Sequence, residues 1–385
     1  MYGKPSLWLY SPIYSNARSR EKRLANYKPI KIDSLIYKIY NITMNNAKGT
    51  KRILLTGASG FIGSHTLQHF LENTNWEVVC ICSWQHKGTP ERVEQVLSKN
   101  STWKDRVTII THDLQAPLTT FTKKRLGDID YIVNIASESH VDRSITDPVP
   151  FMQNNVNLIV NMLELAREIK PKVFFQISTD EVYGVAPRGV NHAEWSPIVP
   201  SNPYSASKAA QEAICISYWR TYNVPLIITN TMNNFGEMQD SEKYIAQLIK
   251  KIQLGQGITI HGTPEDIGSR YYLHARNHAD AILFILQNTV PKLYNHGENL
   301  LPDRYNVVGE KELNNFEVAE LVAKLMNKGF TYEFVNFHFS RSGHDQRYAL
   351  DGKKLVDLGW KAPYSLEESL KKTIDWTLAN SQWLQ

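Results

Sequence analysis

A short β-branched run, Arg52–Thr56, stops directly at Gly57-Ala58-Ser59-Gly60-Phe61-Ile62-Gly63 and passes into a helical pattern. Glycines at such a point permit a tight turn, let backbone N–H groups approach a pyrophosphate, and let the helix pack closely on the strand. Three glycines alone are weak evidence. A strand before them and a helix after them turn the motif into a dinucleotide-binding turn rather than a structural one.

The remainder of the chain has the pattern such a turn requires. Arg52–Thr56, Glu77–Cys82, Val107–Thr111, Tyr131–Asn134, Val173–Ile177 and Leu226–Asn230 are short apolar runs suited to strands buried on both faces. Between them, Phe61–Asn73, Pro150–Glu168 and Ala206–Tyr222 repeat apolar residues at spacings of three and four, as crossover helices do. The expected fold is α/β, a Rossmann-type doubly wound parallel sheet with a smaller C-terminal substrate-binding lobe. Three segments follow: a basic extension over 1–50, a dinucleotide-binding domain over 51–232, and a substrate lobe over 233–385. The lobe reads as a helix at Lys243–Leu254, a strand at Ile258–Ile260, a helix at Asn277–Gln287 and mixed segments, some returning to the sheet.

With 385 residues and 42% hydrophobic content, the chain can bury one large core or two modest ones. No run of about 18 apolar residues suggests a membrane span, and the N-terminus lacks a signal-peptide pattern. Cys80, Cys82 and Cys215 have no metal-ligand spacing and read as packing thiols of a reducing compartment. These features point to a cytoplasmic protein without membrane or nucleic-acid partners. The charge is uneven: residues 1–50 hold nine basic and two acidic side chains, a net +7, against +5 for the whole chain. That leader reads as a solvated arm or strap, with contact to a nucleic acid or an anionic surface as the sharper alternative.

Tyr204 and Lys208 stand four apart at the start of a strong helix, so they share one face. A neighbouring ammonium and the positive nicotinamide of a bound cofactor lower a tyrosine pKa and suit the phenol to act as a base. Tyr27 and Lys31 share the spacing, but no glycine turn or strand precedes them. The fifth strand delivers Thr179, Asp180 and Glu181 at its carboxyl end, where open α/β sheets bind ligands, and adjacent acids can divide into proton donor and acceptor. After the second strand, the position that usually offers an acid to the adenosine ribose is Ser83, followed by Trp84, Gln85, His86 and Lys87. NADP therefore stays open beside NAD. Asp113, after the third strand, suits either the adenine amino group or a turn cap.

Ser178-Thr179-Asp180-Glu181-Val182-Tyr183-Gly184, the segment from Ala136 through Glu138, His140, Asp142 and Arg143 to Ile145, and Tyr204-Ser205-Ala206-Ser207-Lys208 together resemble the dTDP-glucose 4,6-dehydratase family of extended short-chain dehydrogenases/reductases. The resemblance continues in Asn233-Asn234-Phe235-Gly236, Glu242-Lys243 and Gly343–Asp351, covering about Arg52 to Trp376. It implies an NAD-dependent lyase that converts a nucleoside-diphosphate glucose to its 4-keto-6-deoxy form, dTDP-glucose first and UDP-glucose second. It further implies Thr179, Asp180, Glu181, Tyr204 and Lys208 in catalysis. Gly57, Ser59, Gly60, Phe61, Ile62, Gly63, Ser83, Asp113, Leu114 and Ala136 would join Tyr204 and Lys208 around the cofactor. Ser137, Asn233, Asn234, Lys243, Arg270, Asn306, Arg341 and His344 would bind substrate, in a homodimer. The chain departs from the family at Ser83, where an acid is usual, and at Arg270-Tyr271-Tyr272, where Arg-Asp-Trp is common. His140, Asp142 and Arg143 read as loop architecture rather than a metal site. A C4 epimerase or decarboxylase of the same fold, or an inactive cofactor-sensing module, are the competing readings. The adjacent acids argue against the first, and intact Thr179, Tyr204 and Lys208 against the second.

Tyr204→Phe keeps the ring and removes the oxygen, so turnover should fall on the order of 10²–10⁴-fold with the fold intact. Tyr27→Phe, assayed alongside, should change nothing.

Overall fold

The computed structural model describes residues 50–336 and 343–384; Met1–Gly49 form a separate unit outside them, where the basic leader and Tyr27 lie. In chain order the first half runs β1 (Arg52–Thr56), α1 (Phe61–Asn73), β2 (Glu77–Cys82), α2 (Pro90–Leu97), β3 (Val107–Thr111), α3 (Thr120–Leu126), β4 (Tyr131–Asn134), α4 (Val141–Thr146), α5 (Pro148–Ile169), β5 (Val173–Thr179), α6 (Pro203–Tyr222) and β6 (Leu226–Thr231). The second half adds β7 (Asn234–Phe235), α7 (Tyr244–Leu254), β8 (Ile258–Thr263), β9 (Asp266–Ile267), β10 (Ser269–Tyr271), β11 (Leu273–His274) and α8 (Ala275–Asn288). It ends with β12 (Asp303–Val307), β13 (Glu312–Asn314), α9 (Asn315–Leu325), β14 (Tyr332–Val335), α10 (Lys353–Asp357) and α11 (Leu366–Ala379).

Seven strands pair in parallel in the order β12-β6-β5-β4-β1-β2-β3. Alternation along β1 shows how the layers form. Ile53 and Leu55 pack on one face with Phe70 of α1 and Ile282 and Ile285 of α8, while Leu54 faces Met162 and Leu163 of α5 and Trp219 of α6. Each such side chain, taken fully out of water, contributes about 1.5–3 kcal/mol. A third core joins α7, β8, α9 and α11 through Ile249, Ile260, Val322 and Leu370.

The six expected strands are all present, and β5 and β6 run further toward the cleft than expected, to Thr179 and Thr231. Helix α6 begins three residues earlier than its apolar pattern, because Pro203 takes the first turn and Asn202 with Ser205 closes a capping box. Tyr204 thereby lies in the first helical turn. Two segments of the C-terminal half return to the sheet: β12 extends it beside β6, and α8 packs on α1. No helix among the described residues is long and apolar enough to cross a membrane.

Gly57 has φ +71°, and a Cβ on Gly63 would stand 1.9 Å from the Gly57 carbonyl oxygen. Gly63→Ala must therefore push α1 away from the turn. Loss of several kcal/mol of stability is expected, or failure to fold, read from the denaturant midpoint of purified protein.

Candidate active site

The turn after β1 closes through Gly60 N–H donating to Gly57 O (2.9 Å), and α1 starts with no side-chain cap on its first amides. Phe61 and Ile62 of that first turn line a cleft of about 480 Å³ at the carboxyl ends of the strands, as do Gly57, Ser59, Gly60 and Gly63. An uncapped helix start facing a cleft suits a pyrophosphate. Five buried polar atoms of cleft-lining residues have no hydrogen-bond partner: Arg143 Nε, Ser178 Oγ, Asp180 Oδ2, Asn233 Oδ1 and Arg270 Nη1. Polar groups open on the side of a cavity can pair with a polar ligand. The residues thus fit a dinucleotide and a second polar molecule.

Extending β5 to Thr179 brings the polar triplet to the cleft floor. Thr179 caps a short 3₁₀ turn over Asp180–Tyr183, and its hydroxyl donates to Asp180 Oδ1 at 2.8 Å. Gly184 ends that turn at φ +73°, with Val199 O 2.3 Å from where a Cβ would stand. Asn202 Nδ2 approaches Glu181 Oε2 at 3.4 Å. Beneath the triplet, Asn230 Nδ2 donates to Thr179 O (3.0 Å) and to Glu212 Oε1 (2.7 Å), and Arg304 Nη2 meets Glu212 Oε2 at 2.8 Å. Glu212 and Arg304 are fully buried.

Burial raises both acids, and each has its own set of neighbours. Burial first, and then Glu181, push Asp180 up to about 7, against the Thr179 hydrogen bond and Arg270. Burial also raises Glu181, but Asn202, Arg270 and Lys243 all pull it down. Lys208 donates to Ile177 O (2.8 Å) and Gln211 Oε1 (2.6 Å), and burial depresses it to about 8 against Glu212 and Cys215. Tyr204 departs from expectation. Burial, then Glu181 and Asp180, raise its phenol, with only the Thr179 hydrogen bond opposing. The shared helical face does not by itself make Tyr204 a base; a further positive charge must enter the cleft.

The same cleft is lined by Ser83, Asp113, Leu114, Ala136, Ser137, Asn233, Asn234, Lys243, Arg270 and His344. Asp113 caps a turn, its Oδ1 accepting from Gln115 N (2.9 Å), and it also lines the cleft. The cations after Ser83 stand beside acids: His86 lies 3.4 Å from Glu138 and Lys87 3.4 Å from Glu242. Arg270 stacks on the Tyr348 ring, 4.9 Å from its centroid, and donates to Asp345 O. His344 and Asp142 pair at 2.7 Å. Asn306 does not join the group. On β12 its Nδ2 donates to His192 O and Asp351 O, and it borders a separate hollow with Tyr271 and Trp360. Arg341 lies outside the described residues.

Asn315, Tyr244 and Tyr272 line the cleft and were not expected there. Tyr244 and Tyr272 bond Asn315 through its carbonyl (2.7 Å) and its Oδ1 (2.9 Å). In sequence Asn315 is indistinguishable from an ordinary helix-start asparagine. His65, Glu237 and His274 also meet in a buried cluster no motif announces. His274 Nδ1 accepts the Arg276 N–H (3.0 Å), which leaves the proton on Nε2, 3.0 Å from Glu237. That tautomer suits a histidine–carboxylate contact rather than metal ligation through Nε2.

The family described as GDP-mannose 4,6 dehydratase matches the chain over residues 54–373. A probable dTDP-glucose 4,6-dehydratase of Sinorhizobium fredii is 35% identical over 350 residues, spanning 87% of this chain and 95% of the relative. The dTDP-glucose 4,6-dehydratase of Salmonella typhimurium is 32% identical, spanning 86% and 94%. Among solved structures, the dTDP-glucose 4,6-dehydratase of Streptomyces venezuelae with NAD bound superposes with a TM-score of 0.76 at 29% identity, covering 87% of this chain and 99% of that one.

The Asp180 shift carries a stability prediction. Folded Asp180 holds its proton to about 7 and the unfolded residue only to 3.8, so wild-type stability declines as pH rises through that window. Asp180→Asn has nothing to ionise. Its thermal midpoint should gain on wild type across that interval and then run parallel, in scanning calorimetry at a series of pH values.

Proposed function

Because the chain belongs to the dTDP-glucose 4,6-dehydratase family of extended short-chain dehydrogenases/reductases, we propose that it converts a nucleoside-diphosphate glucose to the 4-keto-6-deoxy sugar. The observation that carries this reading is the buried Asp180–Glu181 pair beside Tyr204, two adjacent acids at the end of β5 whose proton affinities burial raises. An epimerase moves only a hydride and one proton at C4 and has no use for them. dTDP-glucose is the first substrate by the relatives' names and UDP-glucose the second, in a cytoplasmic homodimer with NAD as cofactor.

NAD, when bound, accepts the C4 hydride, returns it to C6 and so leaves no net redox change. The side chains supply the rest. Tyr204 takes the proton of the sugar 4-hydroxyl, with Thr179 holding that oxygen. Lys208, on the same helical face, supplies positive charge near the phenol together with that of the nicotinamide ring, against the burial and the two acids that keep it protonated. The 4-ketone acidifies C5, and Glu181 removes that proton. Asp180, protonated to about pH 7, gives its proton to the departing 6-hydroxyl, which leaves as water. Arg270 and Lys243, the cations that bear on both or one of these acids, hold the diphosphate.

Purified protein incubated with dTDP-, UDP- and other nucleotide-glucoses in D₂O should place deuterium at C5 of a 4-keto-6-deoxy product, and a C4 label should appear at C6. A label that returns to C4 would make the protein an epimerase. Glu181→Gln should still oxidise C4 but lose elimination, on the order of 10²–10⁴-fold in turnover, with reduced cofactor accumulating in the absorbance.

A further inference from the structure

A chain of buried side-chain amides runs behind the cleft and ends on Lys208. Thr56 Oγ1 donates to Asn134 Oδ1 (2.7 Å), Asn134 Nδ2 to Gln176 Oε1 (2.8 Å), and Gln176 Nε2 to Gln211 Oε1 (3.1 Å). That same Gln211 oxygen accepts from Lys208 Nζ at 2.6 Å. The four residues come from β1, β4, β5 and α6, and each is wholly buried.

The belt has one polarity. Thr56 Oγ1 accepts the backbone N–H groups of Ile135 and Ala136 (both 3.1 Å), so its own proton must go to Asn134 Oδ1. Every later amide then presents oxygen toward β1 and nitrogen toward α6, until Gln211. There the oxygen receives two donors, Gln176 Nε2 and Lys208 Nζ, while Gln211 Nε2 donates to Asn155 O at 2.8 Å. A flipped Gln211 would set its amino group against both donors and strand the Asn155 carbonyl. Such a network specifies one arrangement because a half-satisfied one is costly.

We propose that Gln211 is a positioning residue for the reaction, acting through Lys208. With Ile177 O it takes two of the three ammonium protons and leaves the third for the cleft that Lys208 lines. The belt ties that orientation to Thr56, the last residue before the glycine turn, so the strand that presents the cofactor turn and the lysine that faces the cofactor are held by one set of bonds. The inference rests on the reading above that Lys208 supplies charge beside Tyr204.

The charged groups around Lys208 are few. Its own helix offers Glu212 and Cys215, β12 offers Arg304 already paired with Glu212, β5 contributes only the Ile177 carbonyl and neutral Gln176, and α5 contributes neutral Asn155. Gln211 is thus one of two direct acceptors of the ammonium. Removing it favours the uncharged amine and ends activity at lower pH.

The test uses the full-length protein with bound NAD, and turnover by wild type establishes the activity first; absence of turnover there defeats the dehydratase reading and not this one. In Gln211→Met, the alkaline limb of kcat should move down by about one pH unit, a roughly tenfold loss on that limb, with KM nearly unchanged. Gln211→Glu keeps an oxygen against Lys208 and adds a charge, so its limb should move up and neutral-pH turnover should return to within a few-fold of wild type. A Gln211→Met protein that folds and loads cofactor yet keeps the wild-type limb overturns the proposal, as does a lowered melting temperature with no change in the pH profile. If Gln211→Met fails to fold, Gln211→Glu decides: an upward shift supports the assignment and an unmoved limb refutes it.

Discussion

The contact on which the site depends is the approach of α1 to the turn before it. Gly63 lies so close to the Gly57 carbonyl that no side chain fits, and Gly57 needs a backbone conformation that L side chains rarely adopt. That closeness sets the uncapped first turn of α1 at the end of β1, with its amides toward the cleft. Helix α8 packs on α1, and β2 and β4 flank β1 through the sheet's own backbone pairing.

Around that frame the protein buries an unusual amount of charge. Asp180, Glu181 and Lys208 border the cleft, while Glu212 and Arg304 sit behind it with no exposure. Isolated, each would lose its charge or weaken the fold. The solution is a division of labour. Behind the cleft Glu212 and Arg304 pair with each other, whereas facing it Asp180 keeps one carboxylate oxygen without a partner and a raised proton affinity. Reactivity is concentrated where partners are missing. A buried ion pair adds little net stability against apolar packing, so the Glu212–Arg304 pair is better understood as holding Asn230, and through it the Thr179 carbonyl, in one place.

Strand positions were legible in the sequence because β1, β2, β4, β5 and β6 are buried on both faces and bounded by turn residues, which leaves short apolar runs no alternative, while β3 at the sheet edge keeps only its β-branched run. Thr179, Asp180, Glu181, Tyr204 and Lys208 were legible because their spacing fits a strand end and a helix turn. Asn306 illustrates the limit. An asparagine at a strand end resembles a cleft residue in sequence, and only the pairing of β12 with β6 shows its amide turned to His192 and Asp351. Asn315 failed in the opposite sense, since a residue next to an N-cap has an adequate local explanation and its two tyrosine partners lie 71 and 43 positions away. The rise in the Tyr204 proton affinity was illegible for a related reason. It depends on desolvation and on two acids that reach it only in three dimensions.

The return of β12 to the sheet sets how the chain can be divided. A polypeptide ending near Met232 would hold every residue of the nucleotide turn and the Tyr204–Lys208 pair, yet leave the β12-facing edge of β6 unpaired along Ile227–Thr231 while β5 still holds the other edge. It would also lack α8 and so uncover the face of α1 that carries Leu67 and Phe70. Such a fragment would seek another strand, from a neighbouring copy if no other were present. The dinucleotide half is thus not a transferable module, and exchange of lobes between relatives must carry the stretch from Ala275 to Val307 with the sheet it completes.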